Sequence, residues 1–148
     1  MGVLSDRSKK NLVNVHPDLI KIIEKCLSYG TVDFSVIQGQ RSIEQHLQNL
    51  KKGVSKAPMS KHCYDPSCAF DFIMYPFTGW NDANGFDKVA KELVRAAKEL
   101  GIPARSGGDW NMDGNFRNDR FYDGGHFELI QPYNDPKPTI PSINKGGK

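Results

Sequence analysis

Residues 69–74 read AFDFIM. A short apolar run bounded by turn residues reads as a buried strand, yet this one carries a carboxylate between two phenylalanines. Burying an unpaired Asp among Phe70 and Phe72 is costly, so Asp71 needs a salt bridge, hydrogen-bond donors or a metal ion.

VDFSVI at 32–37 alternates with a period of two and reads as a strand, and IPARS at 102–106 and HFELI at 126–130 read as two more. Helices lie between and before them. PDLIKIIEKCLSY at 17–29 puts Leu19, Ile20, Ile22, Ile23, Cys26 and Leu27 on one broad face. Pro17 suits the first helical position, Asp18 the positive end of the dipole, and Gly30 the stop. Ser42 opens a second helix through the capping box SIEQ, with Ile43, Leu47 and Leu50 as its buried stripe and Gly53 as its end. A third helix over 83–100 turns Phe86, Val89, Leu93, Ala96, Ala97 and Leu100 inward and closes on Gly101. Residues 107–122 read as a polar loop. Helices that precede and interrupt a small antiparallel sheet define an α+β class.

At 148 residues the chain is the size of one domain. The division expected is a compact domain over 1–135 and a Pro/Gly/Lys-rich tail over 136–148. With 38% apolar and 25% charged residues it has the composition of a soluble globular protein, neither disordered nor membranous. No apolar run approaches the roughly 20 residues needed to span a bilayer, and the N-terminus lacks the apolar core of a signal peptide. A net charge of +3, spread along the chain, is too small to argue for nucleic acid. No nucleic-acid partner, no stable membrane association and a monomer are therefore expected. Three cysteines are too few for a disulfide scaffold.

The chemistry gathers at a second stretch, YDGGHFEL at 122–129. There His126 opens an apolar strand, and Asp123 stands three residues before it across two glycines. With His62 and Asp71 this makes two His and one carboxylate, the ligand set of a catalytic zinc that keeps one position open for water. Such a site also needs a carboxylate that moves the proton. Asp123 is placed for that task, and Glu128 competes for it. Glu128 shares strand parity with His126 and could instead orient a ligand from behind.

Together SKH…AFD and DGGHFEL resemble the zinc D-alanyl-D-alanine carboxypeptidase and L-alanyl-D-glutamate endopeptidase superfamily. The likeness is greatest to single-domain bacteriophage endolysins of the L-alanyl-D-glutamate endopeptidase type. SDRSKKNL, VHPDL, FSVIQGQRSIEQ, SKH…AFDF, GIPARSGGDW and DGGHFEL occur in the family's order. The resemblance implies a hedgehog-like sheet with helices packed on it, zinc held by His62, Asp71 and His126, and Asp123 as base. It makes Arg41 the cation that holds a substrate carboxylate or carbonyl, and Ser60 and Gln45 supporting residues. Eight residues separate His62 from Asp71, more than the frequent family spacing, and YDPS supplies turn chemistry for the longer loop.

Two further readings stay open. Cys63 and Cys68 could bind zinc or close a short disulfide loop, and two reduced thiols are the favoured state. DWNMDGNFRND at 109–119 places Asp109, Asn111 and Asp113 at alternate positions before Gly114, like the first half of a calcium loop, with Asn115 and Asp119 as later candidates. The usual twelfth-position Glu is replaced by Arg120, so an Asp/Asn-rich turn is the rival.

The function expected is a zinc peptidoglycan hydrolase that cuts the stem peptide, at the L-Ala–D-Glu bond, for host lysis. It would be made in the host cytoplasm and reach the periplasmic wall after the membrane is permeabilised. The alternatives are a D-alanyl-D-alanine carboxypeptidase, a non-catalytic zinc-containing wall-binding module and a calcium-dependent interaction protein.

Overall fold

The computed structural model describes residues 4–40, 66–109, 112, 114 and 122–130. The expected helix from Ser42, and Arg41, Gln45, Ser60, His62, Cys63, Asn111, Asp113, Asn115 and Asp119, lie outside the described residues, as does the tail.

The elements are α1 (Asp6–Asn11), α2 (Pro17–Ser28), β1 (Phe34–Gln38), β2 (Ala69–Met74), α3 (Ala83–Leu100), β3 (Ala104–Ser106) and β4 (His126–Leu129). The strands form one antiparallel sheet in the order β1-β2-β4-β3. This is the α+β arrangement expected.

Side-chain alternation divides the sheet into two faces. Phe70, Phe72, Phe127 and Leu129 are fully buried and join Leu19, Ile22, Ile23, Cys26 and Leu93 of the helices in one core. Each fully buried side chain of this size contributes about 1.5–3 kcal/mol. Asp71, His126 and Glu128 have the opposite parity, so the sheet itself separates the polar groups from this core.

The helix ends follow their local chemistry. α2 begins at Pro17, with the His16 side chain accepting from the Asp18 N–H, and α3 ends at Gly101 in the left-handed region (φ 70°). Two expected inward residues differ: Ile20 is only half-buried, and Leu100 is 39% exposed, as α3 is buried up to Ala97 and exposed over its last three residues. α1 had no apolar stripe to betray it. Its Ser8 Oγ accepts from the Val36 N–H at 2.9 Å, and its Asn11 Nδ2 donates to the Val36 carbonyl at 2.9 Å. The short helix thus satisfies backbone groups of the end strand β1. Beyond it Gly39 approaches α1 so closely that a Cβ would stand 2.0 Å from the Asn11 carbonyl oxygen.

β1 carries a bulge: Val36 pairs with Phe72 and Gln38 with Asp71. The extra residue, Ile37, reverses the alternation, so Gln38 shares the Asp71 row while Val36 stays in the core. No helix among the described residues is long and apolar enough to cross a membrane.

Candidate active site

Antiparallel pairing sets Asp71 of β2 directly opposite His126 of β4, and Glu128 of β4 opposite Arg105 of β3. The side chains make a continuous row. His126 Nδ1 lies 3.2 Å from Asp71 Oδ1, and His126 Nε2 lies 2.8 Å from Glu128 Oε1. Arg105 Nε donates to Glu128 Oε2 at 3.0 Å, and one terminal nitrogen stands 2.9 Å from the same oxygen as an ion pair. Burial of the His126 ring disfavours its charge, but the hydrogen bonds and negative charges of Asp71 and Glu128 outweigh that and raise its pKa to about 9.

Two of the expected donors have the spacing of ligands to one zinc ion. With Zn–N and Zn–O bonds of about 2.0–2.2 Å, two ligands at tetrahedral corners stand about 3.3 Å apart. The Asp71–His126 separation of 3.2 Å is of that size. With a metal bound, Glu128 beside Nε2 would favour the neutral tautomer whose Nδ1 lone pair is free for the ion. Among the described residues no group of three or more His, Cys, Asp or Glu is arranged to hold a metal ion. The third expected donor, His62, lies outside them.

Asp123 reaches the same place by another route. It lines a cavity of about 270 Å³ together with Ile37, Asp71, Trp80, Phe86 and Tyr122. Its backbone is pinned through Gly107: the Asp123 N–H donates to the Gly107 carbonyl at 2.7 Å, and the Gly107 N–H donates to the His126 carbonyl at 2.7 Å. A Cβ on Gly107 would lie 2.4 Å from the Asp123 carbonyl oxygen and 3.0 Å from the His126 Cβ. Only glycine lets these two residues approach that closely. The glycines between them also serve space rather than handedness. A Cβ on Gly124 would meet the Tyr122 hydroxyl at 2.3 Å, and one on Gly125 the Phe72 carbonyl at 2.9 Å.

Sequence reasoning brought Asp71, His126, Asp123 and Glu128 together, and passed over Arg105 and Gly107. IPARS and GGDW were visible as motifs, but a partner across two strands needs the register, which no single stretch contains.

Asp109, the first candidate calcium ligand, lies elsewhere. It is buried beside a second cavity of about 300 Å³ lined by Lys91, Lys98, Arg105 and Met112 among others. Its Oδ2 accepts from the Gly114 N–H at 2.9 Å, and Gly114 has φ 84°, the left-handed turn that favours glycine. Cys68 is buried and its Sγ lies 3.7 Å from the Pro66 carbonyl oxygen; Cys26 is a core residue whose thiol burial pushes up to about 12.

The chain is similar to known proteins. The family model described as phage L-alanyl-D-glutamate peptidase matches residues 1–130. L-alanyl-D-glutamate peptidase of Escherichia phage T5 is 40% identical over 131 residues, covering 83% of this chain and 94% of that protein. The crystal structure of the Serratia marcescens L-Ala D-Glu endopeptidase ChiX superposes with a TM-score of 0.71 at 30% identity, covering 88% of this chain and 90% of that one. The fold is therefore that of an endopeptidase of this kind. The chain belongs to the phage L-alanyl-D-glutamate peptidase family.

Proposed function

We propose that the chain is a zinc-dependent peptidoglycan hydrolase that cuts the stem peptide of the bacterial wall at the L-Ala–D-Glu bond. The observation that carries this reading is the Asp71–His126 pair on adjacent strands, at ligand-edge separation, with Asp123 in the same cavity as Asp71. Membership of a family of peptidases supplies the reaction class.

His62, Asp71 and His126 would hold the metal. Bound zinc supplies Lewis acidity, polarising the scissile carbonyl and making water more acidic. The chain's own groups do the rest. Glu128 accepts the Nε2 proton of His126 and keeps that ring oriented. Asp123, exposed at the cavity, takes a proton from the water that attacks the carbonyl carbon. It then gives that proton to the D-Glu nitrogen as the C–N bond breaks, so one water is consumed and one amine and one carboxylic acid result, the acid then ionising. Arg41 stabilises the negative charge that grows on the carbonyl oxygen.

A calcium ion over Asp109, Asn111, Asp113, Asn115 and Asp119 is a secondary reading. The loop closure between Asp109 Oδ2 and Gly114 supports it. Such an ion would order the chain just before Asp123.

A digest of peptidoglycan followed by mass spectrometry tests all three points, run with metal-free, zinc-restored and zinc-plus-calcium protein. New L-Ala carboxyl ends and D-Glu amino ends only when zinc is present are expected. Release of free D-alanine instead would identify a carboxypeptidase, and cleavage by the metal-free protein would remove zinc from the mechanism.

A further inference from the structure

Trp80 is 67% exposed and Phe77 beside it 44% exposed, with Tyr75, two residues before Phe77, 63% exposed. An aromatic cluster left this open at the rim of a site commonly marks an interaction surface. This one is held rigidly. The Trp80 ring stacks on Phe86 with centroids 6.2 Å apart and planes 19° apart, and Phe77 meets it edge-on at 5.1 Å. Phe86 is itself buried and packs on Phe72, whose strand carries Asp71. The turn bearing Trp80 is tied to the start of α3. Asp82 accepts from the Gly85 N–H at 3.0 Å and from the Thr78 hydroxyl, and its own N–H donates to the Gly79 carbonyl at 3.2 Å.

Trp80 also walls the cavity that contains Asp71 and Asp123. Tyr122 supplies a second aromatic wall, its hydroxyl donating to Asp87 Oδ1 at 2.8 Å. Two braced rings therefore flank the reacting groups. A residue that merely shielded Phe86 would need one face of an indole, yet most of Trp80 stays in water.

We propose that Trp80 is a subsite for the N-acetylated sugar ring of the glycan strand, which stacks on the exposed indole while the attached peptide enters the cavity. This rests on the peptidase reading above. In peptidoglycan the L-Ala of the scissile bond is joined through its amine and a lactyl group to the sugar. At about 3.5 Å per residue length, the ring lies about 7 Å from the bond cut, close enough to meet a residue that lines the same cavity. An indole face suits a pyranose because it covers the apolar C–H groups and leaves the hydroxyls hydrated at the rim. Such a ring also loses little conformational freedom on binding.

The test compares two substrates differing only in the sugar: a disaccharide-linked stem peptide and the same peptide with a simple N-acetyl cap. Zinc-loaded wild type, Trp80→Ala and Trp80→Phe are assayed on both. Trp80→Ala should lose about fivefold to tenfold more in kcat/KM on the sugar-linked substrate than on the capped peptide, with Trp80→Phe restoring part of that difference. Equal losses on both substrates, or none on either, overturn the proposal. A second measurement needs no turnover: peptide-free glycan strands titrated into the zinc-free protein, followed by the Trp80 indole N–H resonance. A saturable shift supports the subsite and an unmoved resonance overturns it. If wild type cut neither substrate, the peptidase reading would fall, and the titration would still decide the subsite.

Discussion

Replacing Arg105 by Met removes the two nitrogens that converge on Glu128 Oε2 at 2.9 and 3.0 Å. Glu128 is 6% exposed, so its carboxylate depends heavily on protein partners. Breaking a fully buried ion pair by removing one partner costs about 3–5 kcal/mol. The Arg105 side chain is 34% exposed, however, and water can replace part of what it donates. A loss of about 1–2 kcal/mol in the metal-free protein is the discounted value, or a fall in Tm of about 2–8 °C for a chain of this size. The change also travels forward. A Glu128 less firmly held orients His126 less firmly, and partners behind a metal-binding His typically matter about 10–100-fold in affinity. Because Arg105 acts one step further back, we expect zinc affinity to weaken by about threefold to tenfold, against the larger loss for Glu128→Gln. Competition with a chromogenic chelator reads the affinity, and a melt of the metal-free protein reads the stability. If Arg105→Met changed neither, the row from Arg105 to Asp71 would be a coincidence of packing.

Gly107→Ala would force a Cβ to within 2.4 Å of the Asp123 carbonyl oxygen and so separate Asp123 from His126. A shift of about 1 Å at reacting groups can cost about 100-fold, so kcat should fall by that order while circular dichroism retains the native signature. Cys26, fully buried with its pKa pushed to about 12 by desolvation first and Glu92 second, should resist thiol reagents at pH 8 until denaturant is added. In the metal-free protein the His126 pKa is raised from 6.5 to about 9, so its charged form stabilises the fold fully below 6.5. That contribution is lost as pH rises through 9; the Tm of metal-free wild type should fall across this window, and that of Asp71→Asn should fall less. The same protonation means that zinc binding at pH 7 should release about one proton from His126, read by calorimetry in two buffers of different ionisation enthalpy.

How far the site was legible depended on how local each signal is. Asp71 and His126 announced themselves because a polar residue in an apolar strand breaks a short pattern. Gly101 and Pro17 marked helix ends by their own backbone limits. α1 escaped because six residues with no apolar stripe carry no period, and its role is to hydrogen-bond Val36. The bulge at Ile37 escaped because alternation reads the same until the partner strand is known. Arg105 and Trp80 gain meaning only from what folding sets beside them, Glu128 for one and the Asp71 cavity for the other.

The most direct test replaces Asp123 by Asn, measuring bound zinc and stem-peptide turnover on the same samples. Asp123 is assigned to proton transfer and not to the metal. Zinc content equal to wild type, with turnover down by about 100-fold to 10,000-fold, is the expected result. Undiminished turnover, or loss of the zinc along with the activity, would contradict that assignment.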